Sequence, residues 1–358
     1  MSASRDDERL DGGRLDRRAL LGAGALALTA GLRATAEERA PGKRVIDTEP
    51  GPHVLRFELP GVEVGCAVDP AGPTGCTVVS FPRRALTVAD VRGGTPVTSN
   101  TDLARERSHA LDAICLAGGS VYGLDAAGGV ARELFERAGR ATGWERIARV
   151  SGAVIYDFGL RTTSVVPDAD LGRAALKAAR PGVVPLGGRG AGAAASVGKW
   201  FPGTLEPELA GQGAACRALG RSRVLVLTVV NALGAIVDRS GQVVRGHRDP
   251  KTGRRVAVSA ETIGPRPSGK APGGGNTTLT VVVTNRLLDP GLLRQLAKEV
   301  HASMARAIHP FHGLSDGDVL FAVSTGELDD PGVNAFQLAA LASACAWDAV
   351  LSSFTGRR

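Results

Sequence analysis

The chain has 358 residues, 43% hydrophobic and 22% charged, the balance of a globular protein able to bury a large core. Aromatic residues make up only 4%, and the net charge of +7 is spread along the chain with no dense Lys/Arg block. Such a composition excludes both a base-stacking platform and a phosphate-tracking surface, so no nucleic-acid partner is expected.

The N-terminus reads as an export signal. Asp16-Arg17-Arg18-Ala19-Leu20-Leu21 is a twin-arginine pattern, Gly22 to Leu32 is a short apolar run, and Ala34-Thr35-Ala36 is a small-residue cleavage pattern. Residues 1–36 are therefore expected to be a signal peptide and the location exported, periplasmic or secreted, or cytoplasmic if the signal is not used. The run falls short of the roughly 20 apolar residues that a membrane span needs, so no membrane partner is expected. Five cysteines follow (Cys66, Cys76, Cys115, Cys216, Cys345) with no C-x-x-C pair, which argues for buried free thiols rather than zinc. A Cys66–Cys76 bridge stays open.

Strands are expected at Val62–Val68 and Cys76–Phe81, then a helix from Ser120 to about Ala138. Ala153–Phe158 reads as a strand, and Asp168 as the N-cap of a helix through about Ala179. Gly187 to Gly198 is a small-residue loop; Val224–Val230 and Ala235–Val237 are strands. Gln242 to Gly275 is rich in Pro and Gly with no period, which predicts a mobile surface connection. Beyond it, Pro290 opens a helix with Leu292, Leu296, Val300, Met304 and Ile308 on one stripe. Val319–Ser324 is a strand, and Ala335–Leu351 a nearly all-apolar helix expected to lie deep in the core. Such alternation without a βαβ rhythm predicts an α+β fold of layered sheets and helices.

The common catalytic motifs do not fit. Gly118-Gly119-Ser120-Val121-Tyr122-Gly123 misses the G-x-S-x-G elbow by one position, and the stretch ending Gly198-Lys199-Trp200 lacks the first glycine and the hydroxyl of a P-loop. His309 and His312 beside Asp316 and Asp318 evoke a metal, but Pro310 breaks the H-x-x-H pair, so neither metal nor cofactor is expected. Gly273-Gly274-Gly275-Asn276-Thr277-Thr278-Leu279-Thr280-Val281-Val282-Val283 stands apart: a glycine run ends in Asn276, and a hydroxyl residue opens a β-branched strand. A cut between Asn276 and Thr277 gives Thr277 a free α-amine beside its own hydroxyl, placing nucleophile and base on one residue. The chain would then divide into a large subunit, 37–276, and a small one, 277–358.

Tyr156, Lys199, Asn231, Asp316 and Asp318 are the other polar residues in apolar or glycine-rich settings. Each also has a plain reading: an interfacial aromatic, a solvated charge, a turn residue, and a pair that caps a turn.

Several separated stretches resemble one family, in order. They include Ile114-Cys115-Leu116-Ala117-Gly118-Gly119, Ala153-Val154-Ile155-Tyr156-Asp157-Phe158, Gly211-Gln212-Gly213-Ala214-Ala215, Asn276-Thr277-Thr278, Asp316-Gly317-Asp318 and Trp347-Asp348-Ala349-Val350-Leu351. With them the mature chain resembles the DmpA-type self-processing aminopeptidases, most of all their nylon-oligomer (6-aminohexanoate-oligomer) hydrolase branch. The resemblance implies an αββα sandwich like that of the N-terminal nucleophile hydrolases, with the connectivity of the DmpA and ornithine-acetyltransferase folds. It implies processed subunits that stay together and tetramers of that unit. It also implies Thr277 as nucleophile, Asp316 and Asp318 as an acidic pair that orients it, and Lys199, Asn231 and Tyr156 as further site residues, the last two on the oxyanion. The substrate implied is a linear or cyclic 6-aminohexanoate oligomer; the alternative is an aminopeptidase or esterase acting on short or β-amino peptides.

Overall fold

The computed structural model describes residues 44–105, 110–259, 262 and 275–357. The twin-arginine leader, Gly273 and Gly274 lie outside the described residues. From Val45 onward the chain forms one unit.

The main elements are β1 (Glu63–Asp69), β2 (Thr74–Val91), β3 (Ala110–Ala117), α1 (Asp125–Arg137), β4 (Val150–Val154) and α2 (Ala169–Lys177). After them come β5 (Gln212–Leu219), β6 (Ser222–Asn231), β7 (Ala235–Val237), β8 (Val243–Arg245) and β9 (Thr277–Arg286). The chain finishes with α3 (Pro290–Ser303), β10 (Ile308–His309), β11 (Val319–Leu328) and α4 (Ala335–Ser352). Local chemistry sets several boundaries. Asp289 accepts from the Gly291 and Leu292 N–H groups at 2.7 and 3.0 Å ahead of Pro290, and Asn334 forms a reciprocal box with Gln337. Asp168 caps α2 through the Leu171 N–H.

Among the described residues, a ten-stranded sheet runs β5-β6-β9-β11-β2-β3-β4 and ends on the two-residue strand Thr98–Ser99; off that path β1 pairs with β2 and with the two-residue strand Arg180–Pro181. Strand β2 is 18 residues long and shifts register between Ser80 and Ala85, so its first part pairs with β1 and β3 and its second with β11. The sheet thereby becomes two facing halves. Because side chains alternate along a strand, each half has an inner and an outer face. Val79, Ile114 and Leu116 of one half share a core with Leu227, Leu279 and Val281 of the other. Outward, Val78, Ala113 and Cys115 meet α1 and α2 through Val130 and Leu171, while Val226, Val282 and Ala322 meet α3 and α4 through Leu296 and Ala346. The layers are αββα, as expected.

Several boundaries differ. The strand expected at Ala153–Phe158 is β4, ending at Val154, so Tyr156 lies in the loop and Phe158 opens a short 3₁₀ turn. The start of the first helix, Ser120–Leu124, is likewise 3₁₀. In α3 the buried stripe is Leu293, Leu296, Ala297 and Val300, whereas Leu292 is exposed; Met304 and Ile308 belong to the turn and strand after it. Helix α4 packs one face on β5 and β6 but leaves Phe336 82% exposed, so it is a surface layer rather than a central rod. The described part of the Gln242–Gly275 connection contains β8, paired with β7, and a buried His247. The cysteines are free: Cys66 faces Thr77 across the strands and Cys76 faces Ala67, so no bridge forms between them.

Candidate active site

Strand pairing alone gathers the polar residues. Asn231, the last residue of β6, stands opposite Thr277, the first of β9. On the other side β11 runs parallel to β9, and Asn276 bridges to Asp316 just before β11 begins. Asn231, Asn276, Thr277, Asp316 and Asp318 are all buried at this one end of the sheet.

The Asn276 carbonyl is held from two directions. Thr277 Oγ1 donates to it at 2.5 Å, and the Gly317 N–H donates at 2.7 Å. A Cβ on residue 317 would lie 2.6 Å from Thr277 Oγ1, so glycine is what lets this backbone donor come so close. The hydroxyl and the carbonyl it would attack are therefore already in contact, with an N–H placed to take up negative charge on the oxygen.

The two carboxylates beside them serve different partners. Asp318 accepts from the Thr278 N–H at 2.6 Å, and from the His312 N–H at 3.2 Å and His312 Nδ1 at 2.9 Å. Asp316 accepts the Gly313 N–H at 2.7 Å on one oxygen, while its Oδ1 is buried without a hydrogen-bond partner. Burial and then the neighbouring Asp318 charge push the Asp316 carboxyl up to about 6. Burial likewise brings Lys199 down to about 7, opposed by its attraction to Asp316. Burial thus moves two groups toward neutrality, Lys199 on Asn231 and Asp316 beside Asn276.

The amide of Asn231 is oriented by its partners. Its Oδ1 accepts from the Ser196 N–H at 3.1 Å and Lys199 Nζ at 3.0 Å, and its Nδ2 donates to the Tyr156 and Gly275 carbonyls at 2.9 and 3.2 Å. Tyr156 therefore enters through its backbone carbonyl and its ring. Gly275 has a φ of +96°, and a Cβ there would come within 2.6 Å of the Tyr156 ring. A cleft of about 340 Å³ opens above Asn276, walled by Tyr156, Lys199, Phe201, Pro202, Leu205 and Pro207.

All seven residues singled out in the sequence converge on this end of the sheet. Two contributors escape a reading of the sequence. The Gly317 N–H carries no side-chain signal; its only trace is the glycine between two aspartates. His312 reads from its spacing only as a metal ligand, whereas its ring is turned to Asp318.

The family model for Peptidase family S58 matches residues 57–354. A 6-aminohexanoate-oligomer endohydrolase of Paenarthrobacter ureafaciens is 46% identical over 336 residues, covering 87% of this chain and 90% of its own length. An uncharacterised aminopeptidase of Mycobacterium tuberculosis is 36% identical, covering 72% of this chain and 75% of its own. The solved structure of the L-aminopeptidase D-Ala-esterase/amidase of Ochrobactrum anthropi, described as a variant of the Ntn-hydrolase fold, superposes with a TM-score of 0.62 at 17% identity, covering 82% of this chain and 84% of that one. At that identity the likeness concerns the fold, and it agrees with the αββα layering.

Proposed function

Because the chain belongs to peptidase family S58 and is a hydrolase of amide bonds, we propose that it activates itself by cutting before Thr277 and then hydrolyses 6-aminohexanoate oligomers. Thr277 Oγ1 attacks the Asn276 carbonyl carbon and passes its proton to Asp316 or Lys199. The Gly317 N–H carries the charge on the oxygen. The C–N bond breaks, the departing nitrogen takes a proton and becomes the Thr277 α-amine, and water hydrolyses the remaining ester. The observation that carries this reading is the Asn276 carbonyl held between Thr277 Oγ1 and the Gly317 N–H.

The cut would not release the small subunit. Strands β9 and β11 lie between β6 and β2 in the sheet, so both fragments share one core. Once residues 275 and 276 withdraw, Asn231 Nδ2 and the Gly317 N–H lose acceptors and face the space that a substrate carbonyl enters. Thr277, with its α-amine as base, forms an acyl-enzyme, returns the proton to the leaving amine, and water completes turnover. The twin-arginine pattern at Asp16–Leu21 supports placing this reaction outside the cytoplasm.

The cleft favours the oligomer over a peptide with a free α-amine. Its walls of Phe201, Pro202, Leu205 and Pro207 suit a methylene chain, and no carboxylate lines it among the described residues to hold a substrate ammonium. Incubation with linear and cyclic 6-aminohexanoate oligomers, in parallel with amino-acid nitroanilides, tests this. Release of shorter oligomers with slow or no nitroaniline release is expected; the reverse pattern would assign the chain to the aminopeptidases.

A further inference from the structure

Asp318 is fully buried, and two of the three N–H groups that its carboxylate accepts belong to one residue, His312. The third is the Thr278 N–H, in the peptide that directly follows the nucleophile. His312 holds a φ of 60°, a left-handed backbone that brings its N–H and its Nδ1 onto the same Asp318 oxygen. The adjoining Gly313 N–H binds Asp316, so one two-residue turn grips both carboxylates.

The imidazole is not free to swing away. Its ring lies 3.9 Å from the Phe311 ring and 4.4 Å, nearly perpendicular, from that of His301, which is itself tied to Asp90 at 2.9 Å. Its Nε2 is buried with no hydrogen-bond partner, so Nδ1 is where the ring does its polar bonding. The Nδ1–H tautomer places a donor on Asp318 Oδ2, the oxygen that also accepts the His312 backbone N–H.

We propose that His312 is a positioning residue for the Thr277 nucleophile: it aims the Asp318 carboxylate, which holds the Thr278 N–H and so sets the direction of the Thr277 hydroxyl. The inference rests on the self-processing reading and goes beyond it by naming what orients the acidic pair. A residue that merely fills space would need the ring's volume; a positioning residue needs an N–H at the δ position. His312→Gly and His312→Asn separate these, since both residues tolerate positive φ, and the Asn Nδ2 stands where Nδ1 stood.

The measurement is the time course of Asn276–Thr277 cleavage during cell-free synthesis of the full chain, followed by kcat and KM on matured protein. The expected result is about tenfold or greater slowing of both cleavage and kcat in His312→Gly with KM little changed, a loss of about 1.4 kcal/mol or more of barrier stabilisation. His312→Asn should recover most of that loss. Wild-type rates in His312→Gly overturn the proposal. So does an Asn variant as slow as the Gly variant, which makes the ring a space-filler. A wild-type chain that never cuts overturns the self-processing reading itself, a separate and recognisable failure.

Discussion

Asp157 and Asp316 are both sealed from solvent, at 1% and 2% exposure, the first next to Tyr156 in its loop and the second bridged to Asn276. Asp157 is saturated with donors: Thr74 Oγ1 at 2.6 Å, the Gly119 N–H at 2.9 Å, and the Arg161 guanidinium at 2.9 and 3.2 Å. Asp316 has one backbone N–H, an oxygen with no partner, and a second aspartate for a neighbour. A buried carboxylate with both oxygens engaged locks a loop, here the loop that presents Tyr156. One left short of partners keeps its proton to a higher pH than an ordinary carboxyl, which brings its titration toward neutrality, where proton transfer needs it. The protein thus builds a fixed support and a reactive group from the same functional group.

Replacing Asp316 tests the reactive carboxylate and should have the largest effect. Asp316→Asn is expected to slow self-cleavage by about 10²–10⁴-fold, the usual worth of a positioned acid or base, read as precursor persisting on a denaturing gel. The same change should stabilise the fold. The Asp316 carboxyl rises from 3.8 to about 6 on folding, so its contribution is present below pH 3.8 and is lost as pH climbs through about 6. Compared in a Thr277→Ala background, where neither chain cuts, the Asn variant should gain on the order of 3 kcal/mol above pH 6 and nothing near pH 3. Equal stability at both pH values would show that Asp316 is not held ionised at a cost.

Asn231→Ala removes the donor held on the Tyr156 and Gly275 carbonyls. Losing one oxyanion donor typically costs about 10²–10³ in kcat, with KM little affected. An unchanged kcat would leave Asn231 as a strut between the Tyr156 and Gly275 carbonyls. Arg161→Met should act least on the chemistry and most on the loop that Asp157 locks. Stranding Asp157 without its guanidinium is expected to destabilise by about 3–5 kcal/mol, seen in a denaturant midpoint, while turnover per folded molecule holds. If turnover collapses with stability intact, Asp157 belongs to the reaction.

Much of the framework was legible in the residues. The β-branched run after Asn276 declared β9, Asp168 and Pro290 announced their helices, and the polarity of Thr277, Asn231 and the acidic pair stood out once the resemblance drew them together. What stayed hidden was carried by backbone or by tertiary contact. The Gly317 N–H has no letter of its own, and the three-residue strand β8 is too short to show a period. Leu292, on the expected stripe of α3, proved exposed because neighbouring Leu293 takes the inward position. The unequal duties of Asp316 and Asp318 follow from a turn at His312–Gly313 whose shape depends on packing against His301 and Phe311.

Intact mass and N-terminal sequencing of the purified, active chain, beside Thr277→Ala, address the central claim most directly. Two fragments are expected from the wild type, the smaller beginning at Thr277, and one uncut, inactive chain from the mutant. A single unbroken wild-type chain that still hydrolyses amides, or a Thr277→Ala chain that is cut, would contradict it.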